Sequence, residues 1–441
     1  MSINKVQAIK TALILIALTA VGSCGGAADS MAPPEESPPA APSGAGEGPD
    51  LCAGLVQDKR PRAVTPLERP PLRTPITDPA FGTRIVRITD VSPSEGEGAV
   101  VKPVYSTTQA WNADESLLLL WHRGAGFELY DGHTYAFRGR MDLESPTDLE
   151  QVYWDPVDPD VLYYPSNYKA EPRFMRYRVS QGSSELVRHF GGPPTDCPSG
   201  WDYPLSTGAD PQDMSWGPER VIGLRCGPTK FLYSIPTNEV LGIFHDQSHT
   251  APAATFDGSL AYHNGRVLDR ELKPARTLDV ANPYEHSCLG RSASGPVLGA
   301  VDFDGSPAGS LIVHDLTTGR KRPIISQATG WPYPPSGTHV SGLVRNGPPG
   351  WFAVSVVGDP TDSCLLCQEL LLANVDTGTV CRVAHHRSWS HSGHWDYWAE
   401  PHVGISPSGT RLVFASDWGG GTTVDTFVVE LPAYGPSRAK P

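Results

Sequence analysis

Six of the fourteen histidines fall within 64 residues: His339, His385, His386, His391, His394 and His402. Imidazole suits a borderline transition metal such as manganese or zinc, with a carboxylate as companion ligand. Glu400 and His402 flank Pro401 just ahead of a strand-turn-strand segment, and His339 lies in GTHVSG about sixty residues upstream. Histidines and a carboxylate in these segments are of the types that hold such an ion if the scaffold brings the segments to a common channel. The neighbouring His391, His394, Trp395 and Trp398 then read as channel-lining residues that contact a ligand, while His385 and His386 read as the end of a surface strand. A second constellation, Cys364-x2-Cys367-x13-Cys381-x3-His385, has spacing that fits a closed tetrahedral zinc site. The same thiols also suit disulfides, between Cys364 or Cys367 and Cys381 or between Cys364 and Cys367.

The compartment decides between these chemistries, so the N-terminus matters. Lys5 and Lys10 precede the apolar run TALILIALTAVGS, which ends at Cys24 and reads as a secretion signal over residues 1–23. That run is too short for a permanent transmembrane helix. Residues 24–50, rich in Pro, Gly and Ala, contain little that a core could bury and are expected to form a disordered tether. Export favours disulfides over a zinc cluster and over reactive thiols. Seven cysteines remain after Cys24, so at least one stays unpaired within the chain. Cys197 and Cys226 bracket the third repeat described below, and a bridge between them would pin a long loop at 183–211.

The scaffold is legible as a repeat. ISPSGTRLVFASD, in which a short strand meets a Pro/Ser/Gly turn and then an apolar strand, has counterparts at AWNADESLLLLWH, VYWDPVDPDVLYY, MSWGPERVIGLRC, ATFDGSLAYH, LGRSASGPVLGAV and GLVRNGPPGWFAVSV. The residues before the turn are Trp111, Trp154, Trp216, Phe256, Ser292, Val344 and Ile405. A second strand pair follows each unit. Four short antiparallel strands repeated seven times, with 45 Gly and 44 Pro, predict an all-β seven-bladed β-propeller over 51–441. Its last blade needs a strand from the other end of the chain to avoid an unpaired edge. GTRIVRITD at 82–90 is expected to supply it beside TFVVELP.

Three resemblances follow from these motifs. Val21-Gly22-Ser23-Cys24 resembles the lipobox of bacterial lipoproteins, which implies lipidation at Cys24; Gly25 after it implies the outer membrane or cell surface. The unit SPSGTRLVFAS resembles the Ser-Pro-Asp-Gly repeat of TolB-type propellers and carries fold, not chemistry. AEPHVGISPSGTRLVFASD resembles the last blade of oligogalacturonate lyases, manganese-binding propellers whose ligands include a His-Pro-His motif with a Gln upstream and a His from an earlier blade. His402 follows Pro401 as in that motif, but Glu400 stands where the other His belongs and Tyr397 where the Gln would be. The resemblance implies His339, Glu400 and His402 as ligands of Mn or Zn.

The net charge of −13 and the absence of any basic cluster exclude nucleic acid as a partner. No Gly-x-Ser-x-Gly elbow, phosphate-cradling loop or His-Glu-x-x-His occurs. With no complete catalytic set, the leading expectation is a lipid-anchored propeller that binds a glycan or protein at the cell envelope. The alternatives are a metal-dependent polysaccharide lyase of the oligogalacturonate type and an envelope scaffold protein.

Overall fold

The computed structural model describes residues 49–92, 99–208, 210–283, 286–302, 310–331, 339–358, 364–389 and 397–434. Cys24, the signal segment and nearly all of the tether lie outside them. Among the described residues no helix is long and apolar enough to cross a membrane.

Seven antiparallel sheets follow one another around a ring. Blades 1 to 6 occupy residues 101–141, 153–189, 221–245, 253–277, 287–325 and 339–385, and blade 7 combines 404–430 with 75–87. In blade 3 the inner edge is reduced to isolated bridges, Met214 to Ile222 and Ser206 to Arg225. The repeated turn explains why the motif recurs. In blade 7 the Gly409 N–H donates to the Ser406 carbonyl at 2.8 Å and the Arg411 N–H donates to Ser406 Oγ at 3.2 Å, with Gly409 at φ +77°. Blade 4 repeats this with Thr255 and Gly258. In blade 1 the left-handed position is held by Glu115 at φ +61°, a conformation costing roughly 1 kcal/mol for a residue with a Cβ. Glu115 has a compensating role, because its carboxylate accepts from the buried Arg411 guanidinium at 2.5 Å and so ties blade 1 to blade 7.

Ring closure follows the expected pairing. Arg84–Arg87 lies antiparallel to Asp425–Glu430, with Ile85 opposite Val429 and Val86 opposite Val428. Pro75–Thr77 adds a fifth, outermost strand. One buried carboxylate binds the junction: Asp425 accepts from Thr89 Oγ1 at 2.7 Å, from the Val91 N–H at 3.0 Å, from Arg87 at 3.4 Å and from Arg69. Further upstream, Cys52 is bonded to Cys381 of blade 6, 329 residues away, and Val56 bridges Arg382. Arg382 is itself buried and donates two hydrogen bonds, at 2.7 and 2.5 Å, to Glu369 on the adjacent strand. The N-terminal segment therefore fastens to two blades, once covalently and once through the sheet.

Two expectations are corrected. Residues 183–189 form the outer strand of blade 2, so the loop pinned by Cys197 and Cys226 begins only after them. His385 and His386 are fully buried, not at a surface strand end, because the N-terminal segment covers blade 6 there. The lower part of the axial channel is filled by polar side chains: Gln109 donates to the carbonyls of Leu343 and Ile405, and Arg345 meets Asp213 at 3.3 Å.

Burial drives three imidazoles down, His314 and His385 to about 4 and His386 to about 3. In the unfolded chain they titrate near 6.5. Below that value the unfolded state binds more protons than the folded one, so stability falls as pH drops from about 6.5 towards 4 and 3. Melting curves should show a lower melting temperature at pH 4.5 than at pH 7. Replacing Asp425 by Ala strips the junction of its shared acceptor and should cost about 3–5 kcal/mol, read from denaturant unfolding, with Asp425→Asn costing less.

Candidate metal centre

The inner strands of blades 6 and 7 begin at His339 and Gly404. They start at the channel mouth, opposite the end filled by Gln109 and Arg345. His402 stands just ahead of the second of these strands with a left-handed backbone, φ +42°. Glu400 follows a short 3-10 turn, Tyr397–Ala399, and its N–H donates to the Tyr397 carbonyl at 3.2 Å. The Pro401 carbonyl accepts from the Ala415 N–H at 2.8 Å, which fixes the segment to blade 7.

These elements bring His339, Glu400 and His402 together, all buried, with one ligand atom from each within 4.8 Å of the others. Nε2 of His339 and Nε2 of His402 both stand 3.4 Å from Glu400 Oε2. That separation is long for a hydrogen bond between nitrogen and oxygen. It matches the spacing of neighbouring donors around one ion: bonds of about 2.1 Å in a tetrahedral site place ligand atoms about 3.4 Å apart. Two imidazoles and a carboxylate leave coordination positions open for a substrate, and manganese and zinc both accept such donors. The residues present fit a divalent ion.

The surroundings are polar and aromatic. Tyr105 lies edge-on to His339 at 5.4 Å and tilted to His402 at 5.1 Å. Burial, together with the charges of Asp210, Glu150 and Glu400, pushes its phenol well above the usual range, and Tyr397 is pushed up by burial, Glu150 and Tyr105. Both rings are therefore neutral donors, Tyr105 to Asp210 at 3.2 Å and Tyr397 to Glu150. The carboxylates gathered here, Glu150, Asp210 and Glu400, favour a cation at the mouth. Buried Lys102, from blade 1, reaches His402 Nδ1 and lies 4.7 Å above the Tyr397 ring. An imidazole that ligates through Nε2 keeps its proton on Nδ1, so with an ion bound Lys102 must meet that N–H with a lone pair or move aside.

Trp398 is half-buried, stacked on Trp121 at 5.1 Å beneath Arg123. His391, His394 and Trp395 lie outside the described residues. His286, which sequence reasoning passed over, stacks on His339 with ring centroids 4.3 Å apart and is only partly buried. A signal existed: His286, His339 and His402 each stand at or just before the start of the inner strand of a successive blade.

The alternative zinc set does not assemble. Cys381 is committed to Cys52, and Cys364 to Cys367. The His385 ring packs edge-on against Phe81 at 4.9 Å. Cys197 is bonded to Cys226. Cys288 is the remaining thiol among the described residues, buried, with its sulfur accepting from the Gly342 N–H at 3.2 Å.

No protein-family model and no curated protein sequence matches the chain. Among solved structures, an oligogalacturonate lyase in complex with manganese is similar in fold, with TM-score 0.56 and 16% identity, covering 81% of this chain and 96% of that one. An oligogalacturonate lyase from Vibrio parahaemolyticus has TM-score 0.56 and 12% identity, covering 82% and 97%. These likenesses establish the seven-bladed architecture.

Metal analysis by mass spectrometry of protein purified without chelator should find close to one equivalent of manganese or zinc. His402→Ala and Glu400→Ala should each lose it, whereas Cys364→Ser with Cys367→Ser should retain it.

Proposed function

We propose that the protein is an exported, metal-dependent enzyme that cleaves a uronate-containing polysaccharide by β-elimination at the channel mouth. The observation that carries this reading is the convergence of His339, Glu400 and His402 on one point. The manganese-bound lyase of the same fold supports the class of chemistry. When bound, the ion supplies a Lewis acid that holds the sugar carboxylate and acidifies the neighbouring C–H.

The chain's own groups supply the rest. His286, beside the triad and outside it, takes the proton from the carbon next to the carboxylate. The electron pair left behind becomes a carbon–carbon double bond as the glycosidic C–O bond breaks, and the departing oxygen takes a proton from water. Tyr105, buried, and Tyr397, half-buried, are both neutral and wall the site against water. Glu400 is the residue that distinguishes this site from a neutral imidazole set, and its charge offsets part of that of a bound ion.

The same reading places the protein at the cell envelope, tethered through lipid on Cys24 with residues 24–50 as linker. A second reading, capture of an acidic glycan without turnover, is favoured by Glu400, whose charge weakens the Lewis acidity of any ion beside it.

The test is ultraviolet absorbance of the unsaturated product from oligogalacturonate with manganese or zinc present. Wild type should generate it. His286→Ala should lose turnover by about 100-fold or more with metal content unchanged. Metal-loaded wild type that binds the substrate and forms no product would replace this reading with the second.

A further inference from the structure

The loop that links blade 2 to blade 3 exposes two large aromatic side chains, Trp201 at 72% and Tyr203 at 52%. Such surface is usually withdrawn from water unless something covers it. The loop is held from several sides. Cys197 is bonded to Cys226, and the Gly200 N–H donates to the Ala170 carbonyl at 2.8 Å. Ser206 and Arg225 exchange both backbone hydrogen bonds, at 3.0 and 2.8 Å. The Tyr203 ring lies so close to Gly227 that a Cβ there would stand 2.7 Å from it. Its anchor point Ala170, and Lys169 before it, adopt left-handed backbones without being glycine, φ +59° and +56°. Strain retained in this way is characteristic of recognition loops.

The loop is paired through Ser206 with Arg225, for which no counter-ion stands among the described residues. Arg225 is the penultimate residue of the second strand of blade 3, immediately before Cys226. Its Nε has no hydrogen-bond partner, and no carboxylate lies within ion-pair distance of it among the described residues. Asp148 influences it only through its field, while burial pulls the guanidinium below its usual range. The neighbouring cation, Lys230, cannot serve as its partner and adds positive charge. Its three N–H groups are spent on the carbonyls of Gly227, Asp246 and Ser248 at 2.7, 3.2 and 2.8 Å. A partly buried guanidinium left unpaired is costly, and a carboxylate ligand is the group its planar fork matches.

Topology puts this cluster on the face that carries the metal centre. His339 and His402 stand at the starts of inner strands. The Trp201 and Tyr203 loop also leads into an inner strand position, Ser206, and Arg225 is the penultimate residue of a strand antiparallel to it.

We propose that Arg225, with Trp201 and Tyr203, forms a remote saccharide subsite that takes the carboxylate of a uronate residue while its ring stacks on the exposed aromatics. The subsite deepens the proposed function, on which the choice of an acidic glycan rests. It holds a stretch of polymer away from the reacting bond, so that chain length governs affinity.

Calorimetric titration of the full protein tests this, using oligogalacturonate of about ten units and its fully methyl-esterified counterpart, with chelator present so that the metal centre does not contribute. Wild type should bind the acidic oligomer saturably and the ester at least tenfold more weakly. Arg225→Gln and Trp201→Ala should each weaken acidic binding by about tenfold or more, with melting temperatures near wild type. Absence of saturable binding to chelated wild type, or variants that bind as wild type does, overturns the subsite, and equal affinity for the ester overturns carboxylate recognition. Product formation by the metal-loaded protein is measured separately, so failure of the elimination chemistry and failure of the subsite are distinguished.

Discussion

A ring of blades is stable only when its last sheet has no open edge, and here that condition rests on four residues, Arg84–Arg87, lying against Asp425–Glu430. Four residues of sheet form a modest contact by themselves. Asp425 consolidates them by collecting two arginines, a hydroxyl and a backbone N–H around one buried carboxylate. Such a carboxylate is acceptable in the interior only because its charge and lone pairs are answered. The channel depends on this closure: the inner strand positions of blades 1, 6 and 7 are crosslinked by Gln109 only if those blades are neighbours. The metal centre then depends on the channel, since Lys102 and His402 are brought together from 300 residues apart.

At the mouth, geometry and electrostatics point the same way. Three carboxylates and two neutral phenols surround a pair of imidazoles, with Lys102 lying against His402. A site of this kind is poised for positive charge. Its filled floor gives a ligand one way in, across the face that also bears the aromatic loop of blade 3.

The scaffold was readable because its turns are local. A short side chain that accepts from the backbone across the turn leaves a short signature, as Asn112, Thr255 and Ser406 do, and seven strand-turn-strand units in series identify the fold. The ligand triad was readable through its likeness to a known metal-binding motif, and the propeller supports it because residues near strand starts share one axis. What stayed hidden depends on pairing between distant segments. The partner of Cys381 proved to be Cys52, a choice among many that sequence spacing does not determine. Lys102 sits in an unremarkable strand, VKP, whose sequence carries no sign of the imidazole it meets. His286 stands apart from the dense histidines near the C-terminus and is marked only by its place in the repeat. Burial of His385 and His386 follows from a covering segment 300 residues earlier.

The bond between Cys52 and Cys381 also sets how the molecule carries load. Tension applied to the chain from its N-terminal side reaches Cys52 before it reaches the closing strands at 75–87. The disulfide gives that tension a covalent path into the interior of blade 6, in parallel with the peptide chain. The short pairing of Arg84–Arg87 with blade 7 is thereby relieved of much of the pull. A propeller held by its N-terminus and tugged by a polymer on its open face would transmit the force across sulfur, with its velcro strand kept slack.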